Sequence, residues 1–319
     1  IEAPMAIGGH SVVVGASVGL ALYPQHGDNY EELMRRADLA MYKAKASGDN
    51  KPVVFDPVFE LESVTRRAME LELGQAIRNG ELEVHYQPIM DGQSRQILGV
   101  EALVRWIHPE RGQISPVEFI PIAEASGCIA ELGDWVLRTA LTAMKRWPDL
   151  FLSVNISPVQ FKDVRLVERV FDAIKESGFD PTRLELQITE GLLMPDTGIV
   201  QRAIEEFKTK GIRVTLDDFG SGFSGLGYIQ NFPFDKIKID GSFIADIDKN
   251  PQTAAVVQCV VNLATALGKN ITAEGIETDE HEKLLRSFGC QTLQGFKYGR
   301  PMSAAEFDAF VCEPKRRLA

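Results

Sequence analysis

The sequence predicts an α/β protein, a modified (β/α)8 barrel of the TIM type with an antiparallel first strand, preceded by a partial α/β segment. Three observations lead there. From Leu82 onward, short β-branched runs alternate with amphipathic stretches to the end of the chain, as βα units do. Polar residues collect at the C-terminal ends of those runs, where a β/α barrel does its chemistry. Only a few residues around Asp91-Gly92 separate the first two runs, too few for a parallel crossover.

Taken in order, residues 10 to 56 form a small α/β piece. It has a β-rich run from Ser11 to Leu22, a helix from about Tyr30 to Lys45 with Leu33, Ala37, Ala40 and Met41 on one face, and a short strand at Val53 to Phe55. Such a piece needs more strands to close a core, so a truncated domain is expected. Phe59 to Arg78 carries Leu61, Val64, Ala68, Leu71 and Ile77 near helical spacing, with Asn79-Gly80 as a stop. Barrel strands are expected near 83–88, 97–104, 151–156, 184–189, 212–216, 236–239, 270–273 and 291–293, with the continuous β-branched look of buried parallel strands. Helices are expected near 117–126, 131–147, 164–178, 196–210, 222–229, 252–268, 278–288 and 303–310. The division is then a fragment over 1–56, a connecting helix over 57–80, a barrel over 81–312 and a tail over 313–319.

At 319 residues, 45% hydrophobic and 25% charged, the chain can bury one large core and a smaller unit, which excludes overall disorder. Cys128, Cys259, Cys290 and Cys312 fall singly, without metal-knuckle spacing. The longest apolar stretch, Ala254 to Leu267, is shorter than the ~20 residues of a bilayer span and carries Gln258 and Asn262. A cytoplasmic domain is expected, with membrane attachment of an intact parent left open. The net charge of -11 argues against a general nucleic-acid surface. An anionic small ligand remains compatible, given cations.

The polar residues at the ends of the later strands are Glu101, Asn155, Gln187, Asp217 with Asp218, Lys238, Glu274 and Gln294. Carboxylate and carboxamide oxygens suit Mg²⁺ or Mn²⁺, whereas zinc more often recruits His or Cys. None of the five His falls at this rim. Adjacent aspartates can serve two cations about 3.5–4 Å apart, which would polarise a water and stabilise a phosphoryl transition state. Lys238 would add positive charge or position that water, and Glu277 could hold Lys238 or a water. Phe219 to Gly227 is a Gly/Ser-rich turn without the Gly-Lys-Ser/Thr ending of a Walker loop. Arg105 could meet a phosphate or a guanine edge. Each carboxylate alone could be a helix cap or a solvated loop residue, and only their convergence favours a site.

Ordered motifs carry a resemblance across residues 66 to 312: Glu101-Ala102-Leu103-Val104-Arg105-Trp106, Val154-Asn155-Ile156-Ser157, Asp217-Asp218-Phe219-Gly220, Lys238-Ile239-Asp240, Ala273-Glu274-Gly275-Ile276-Glu277-Thr278 and Gln294-Gly295-Phe296. The chain resembles the EAL family of cyclic-di-GMP phosphodiesterase domains. Ser17 to Ala21 and Ala37 to Lys45 resemble the C-terminal part of a GGDEF diguanylate cyclase domain. Its nucleotide-binding beginning is missing from this sequence, so no cyclase activity is expected, and the expected parent is a tandem GGDEF–EAL protein with sensory portions upstream.

The resemblance implies hydrolysis of cyclic-di-GMP to linear pGpG with two Mg²⁺ or Mn²⁺ per site. One ion would look to Glu101, Asn155, Gln187 and Asp217, and the other to Asp217, Asp218 and Glu274. Lys238 would orient the attacking water, Glu277 would support the site, and Leu103, Arg105 and Gln294 would meet substrate. Glu190 resembles the glutamate that steadies the loop after Asp218, and a homodimer is implied as well. Gln187 departs from the pattern, since the family usually has a metal-binding Glu there. A weakened enzyme is expected, the alternative being a cyclic-di-GMP receptor that binds without cutting.

Overall fold

Alternate residues of a strand point to opposite faces, and in this chain the two faces carry opposite chemistry. The structure, a computed structural model, describes residues 5–7, 10–12, 14–47, 51–193, 197–220 and 232–312. Its contacts divide the chain into two units, Ile1–Leu73 and Gly74–Ala319. In the first, β1 (Met5–Ile7) pairs antiparallel with β2 (His10–Val12), and β3 (Gly19–Leu20) pairs parallel with β4 (Val53–Val54). The β-rich run therefore supplies two separate short strands. Helix α1 (Tyr30–Ser47) connects β3 to β4 and buries Ala40 and Ala44. The division between the units falls inside helix α2 (Val58–Asn79), which stops at Gly80 with φ +75°, a value glycine adopts without steric cost.

The second unit is a closed barrel. Its strands are β5 (Leu82–Asp91), β6 (Ile97–His108), β8 (Phe151–Asn155), β9 (Leu184–Thr189), β10 (Arg213–Phe219), β11 (Lys236–Ile239), β12 (Asn270–Ala273) and β13 (Thr292–Leu293). β6 and β8 to β13 run parallel, whereas β5 is antiparallel to both its neighbours, β6 and β13, and closes the ring between them. The short connection at Asp91 thus produces the predicted antiparallel first strand. A short strand, β7 (Gly112–Ile114), folds back on the end of β6 and was not anticipated, because three residues give no readable period. Helices at Pro116–Ser126, Ile129–Ala143, Leu166–Ser177, Thr197–Thr209, Pro251–Ala266, Asp279–Phe288 and Ala304–Cys312 follow the expected pattern. The helix expected over 222–229 lies outside the described residues. No described helix is long and apolar enough to cross a membrane.

The helix-facing side of the strands is apolar: Val100, Leu152, Leu186, Leu216, Ile237 and Ile271 are each at most 1% exposed. Each such burial contributes about 1.5–3 kcal/mol, so this layer holds the barrel together. The inward side is polar, with Ser153, Glu185, Thr215, Lys236, Thr272 and Thr292 all buried. The strands are therefore not hydrophobic on both faces, as their β-branched composition suggested. Inside, Lys236 pairs with Glu185 at 2.7 Å and the hydroxyls of Thr272 and Thr292 meet at 2.5 Å. Phe151 lies lower in the barrel, with the cations of Arg213 and Lys236 4.9 and 4.8 Å from its ring centroid. Gly99 makes room for that ring, since a Cβ there would come within 2.6 Å of it.

One ion cluster ties the β5–β6 connection to the end of the barrel. Glu282, 2% exposed, meets Arg95 Nε at 2.8 Å, Arg286 Nη1 at 2.9 Å and Lys297 Nζ at 2.7 Å. Burial alone would raise its pKa, but hydrogen bonds from Lys297 and Arg286 outweigh burial and hold it below the usual glutamate value of 4.5. A lowered folded value gives stability that is present above pH 4.5 and lost as pH falls through that folded value. Glu282→Gln should cost about 2 kcal/mol at pH 7, the exposed Arg95 being screened by solvent. It should also flatten the acid limb of the unfolding profile, and an acid limb identical to that of the parent would contradict this assignment.

Candidate functional site

The C-terminal ends of the parallel strands converge on a cavity of about 340 Å³. Of the predicted residues, Glu101, Leu103, Asn155, Asp217, Asp218, Lys238, Glu274, Glu277 and Gln294 line it, together with Gln87 and Phe296. Chain distance is overcome by register. Glu101 pairs with Ser153 across β6 and β8, Asn155 with Gln187 across β8 and β9, and Gln187 with Thr215 across β9 and β10.

At the centre is the ammonium of Lys238, whose side chain is 2% exposed. Its Nζ lies 3.3 Å from Glu101 Oε2, 3.3 Å from Asp217 Oδ1 and 2.5 Å from Glu274 Oε1, and donates to Gln187 Oε1 at 2.9 Å. Burial would pull this lysine's pKa down, but Asp217, Glu101 and Glu274 outweigh it and raise it well above the ordinary value. The carboxyls feel the reverse. Burial, reinforced by Asp217 and Glu101 against the opposing pull of Lys238, pushes Glu274 up to about 8. Burial also raises Asp217, helped by Glu101 and Asp218, and raises Asp218, helped by Asp240. One ammonium is thus too little positive charge for the carboxyls around the cavity.

Strand alternation would send Asp217 inward and Asp218 outward. A register shift prevents this: Leu216 pairs with Ile237 and Phe219 with Ile239, leaving two aspartates opposite the single Lys238. Asp218 takes φ +54°, a left-handed value that Asp tolerates better than most residues. The bulge turns both carboxylates to one cavity, with Asp217 Oδ1 accepting from the backbone N–H of Asp218 at 3.0 Å.

Carboxamides complete the wall. Asn155 Nδ2 donates to Glu101 Oε1 at 2.8 Å. Gln294 Nε2 donates to Glu101 Oε2 at 2.7 Å and to Gln87 Oε1 at 3.1 Å, while Gln87 Nε2 donates to the Gly299 carbonyl at 3.1 Å. These bonds leave Gln294 Oε1 buried without a hydrogen-bond partner. Sequence reasoning missed Gln87. Its signal was its place opposite Glu101 on the antiparallel pair.

Other predicted residues lie around the cavity. Gln187, 1% exposed, sits beneath it and reaches it through Lys238. Arg105 lines a neighbouring groove that shares Leu103 and Asn155, and donates from Nη1 to the Val104 carbonyl. Glu277 is exposed at the mouth and is not among the groups that touch Lys238. Glu190 Oε2 accepts from the Gly220 N–H at 3.3 Å. Beyond Gly220, the turn to Gly227 lies outside the described residues.

Among the described residues, no group of three or more His, Cys, Asp and Glu side chains is spaced to hold a metal ion. The carboxylates instead converge on Lys238. The donor set nevertheless fits a hard divalent cation, being made of carboxylate and carboxamide oxygens with more negative charge than one lysine balances.

Residues 70–301 match the EAL domain family and residues 1–51 the GGDEF domain family described as diguanylate cyclase. An uncharacterized signaling protein of Caulobacter vibrioides is 42% identical over 305 residues, covering 94% of this chain and 37% of that protein. The bifunctional diguanylate cyclase/cyclic di-GMP phosphodiesterase MucR of Pseudomonas aeruginosa is 37% identical over 316 residues, covering 98% of this chain and 46% of that protein. This chain therefore spans less than half the length of either relative. A solved PaMucR phosphodiesterase, in complex with c-di-GMP, is 37% identical with a TM-score of 0.72, covering 75% of this chain and 99% of that one. The EAL enzyme Bd1971, in its cAMP- and cyclic-di-GMP-bound form, is 30% identical with a TM-score of 0.76, covering 90% of this chain and 77% of that one. Through residues 70–301, the chain belongs to the EAL domain family.

Proposed function

We propose that this chain is a metal-dependent phosphodiesterase that hydrolyses cyclic-di-GMP to linear pGpG, with residues 1–56 as a GGDEF fragment, 57–80 as a connecting helix, 81–312 as the catalytic barrel and 313–319 as a tail. The observation that carries the reading is the convergence of Glu101, Asp217, Asp218, Lys238 and Glu274 on one cavity. The relatives solved with this ligand supply the substrate.

Glu101, Asn155, Gln187 and Asp217 would hold one Mg²⁺ or Mn²⁺ and Asp217, Asp218 and Glu274 a second, and bound ions would supply the charge that stabilises a phosphoryl transition state and acidifies water. Lys238, a donor-only cation buried among acceptors, positions the attacking water and meets developing negative charge. Gln294 spends both N–H groups on Glu101 and Gln87, so toward the ligand it acts as an acceptor, suited to a water or a ribose hydroxyl and unsuited to a phosphate oxygen. Leu103 offers an apolar wall to a base, and Arg105 a cation in the adjoining groove. Glu190 steadies the start of the turn after Asp218 through Gly220.

A second reading, a receptor that binds cyclic-di-GMP without cutting, is favoured by the neutral oxygen of Gln187 and by a Lys238 that partly compensates the carboxylates by itself. Calorimetry in chelator separates the two. Tight binding with no pGpG at any metal concentration selects the receptor.

Under the enzyme reading, Asp218→Asn and Lys238→Met should each lower pGpG formation by about 10²–10³-fold in Mn²⁺, with circular dichroism unchanged for the half-buried Asp218. Full turnover by either variant would remove it from the mechanism. Stability of the chelated protein should also depend on pH. Glu274 has a folded value raised from 4.5 to about 8, so its contribution is complete below pH 4.5 and is lost as pH rises through about 8. The melting temperature in chelator should therefore fall by several degrees between pH 6.5 and 9, and Glu274→Gln should remove much of that slope. Equal slopes for parent and variant would show that the proton sits elsewhere.

A further inference from the structure

The position that departs from the family pattern has its own support in the barrel interior. Gln187 Oε1 faces the donor-only ammonium of Lys238 at 2.9 Å, so Nε2 is the group directed at Ser153 Oγ, 2.6 Å away. Ser153 is completely buried and its hydroxyl donates to Glu185 Oε1 at 3.1 Å. Glu185 is closed on its other oxygen by Lys236 at 2.7 Å. Paired with the donor-only Lys236 inside the barrel, Glu185 acts as a carboxylate, which can only accept. The direction of every bond follows: Lys236 donates to Glu185, Ser153 donates to Glu185, and Ser153 is left able only to accept from Gln187.

We propose that Ser153 is a positioning residue that, held by the Glu185–Lys236 pair, aims the carboxamide of Gln187 with its oxygen toward Lys238 and the cavity floor. In this barrel, Gln187 is then a neutral group whose orientation its neighbours fix. A hydroxyl has one proton. A glutamate at 187 would present an oxygen to Ser153, and the two carboxylates at 185 and 187 would compete for that proton. The role of the aimed oxygen as a cation ligand rests on the phosphodiesterase reading, whereas the aiming itself does not.

The test is a double-mutant cycle on the full chain in chelator, with Ser153→Ala and Gln187→Glu, singly and together. Each should lower the melting temperature by about 2–4 °C, and the double variant should lose less than the sum, because both changes break the same Gln187–Ser153 bond. Plain repulsion between carboxylates 185 and 187 would not involve Ser153 and would give additive losses, which overturns the proposal. Should Ser153→Ala fail to fold, Ser153→Cys keeps the volume and weakens the acceptor. On the unmodified chain, the side-chain amide protons of Gln187 should exchange slowly with solvent by NMR, and rapid exchange also overturns the proposal. Calorimetry with Mn²⁺ alone reads the consequence: Ser153→Ala should weaken binding about tenfold, and unchanged affinity refutes the aiming of a ligand. If the parent binds no Mn²⁺, the phosphodiesterase reading falls while the cycle in chelator still decides the positioning.

Discussion

The constraint on which the second unit depends is a single ammonium at the strand ends, shielded from solvent. Lys238 is 2% exposed, and an uncompensated ion at such a site would cost several kcal/mol. It is tolerated because Glu101 and Asp217 arrive from two other strands, Gln187 from a third and Glu274 from just past the end of β12. That requirement fixes register as firmly as hydrophobic burial does. A one-residue slip of β11 would turn Lys236 and Lys238 into the apolar layer and Ile237 and Ile239 into the barrel. The same ion pairs explain where the carboxylates at the strand ends meet: Glu101, Asp217 and Glu274 converge on the ammonium of Lys238.

The rest of the barrel follows from having charge at its axis. Its interior cannot be apolar beneath such a cluster without leaving Gln187 and its neighbours unpaired, and an unsatisfied buried polar group costs about 1–3 kcal/mol. Polar residues therefore continue downward, through Ser153, Thr215 and Thr272, to the second ion pair of Glu185 and Lys236 and to the cations over Phe151. The hydrophobic core moves outward, between strands and helices. Stability is supplied by that outer layer and specificity by the inner one.

This division explains what could be read in the sequence. The outer layer gives each strand its β-branched signal, so the strand positions, the alternation with helices and the antiparallel entry at Asp91-Gly92 were legible. Taking the polar residue near the end of each parallel strand found the rim. The same rule failed for Gln87 because β5 runs the other way, bringing its earlier residues to the rim. It missed Ser153 because that residue lies one layer below Asn155 on the same strand. Glu277 follows Glu274 by three residues, but through an irregular segment, so the spacing did not carry its side chain to Lys238.

The adjacent aspartates show where reading a pattern and understanding it part company. Asp217-Asp218 was the clearest signal in the chain, yet on a regular strand only one of the pair could face the cavity. The bulge that admits both puts Asp218 at φ +54°, a conformation that costs of the order of 1 kcal/mol or more for a residue other than glycine. Glycine would relieve that strain and delete the carboxylate, so the backbone preference of this position and its chemistry oppose each other. Asparagine adopts the same conformation as readily as Asp and keeps an oxygen. It lacks only the charge, and so separates the backbone requirement from the electrostatic one within a single side chain.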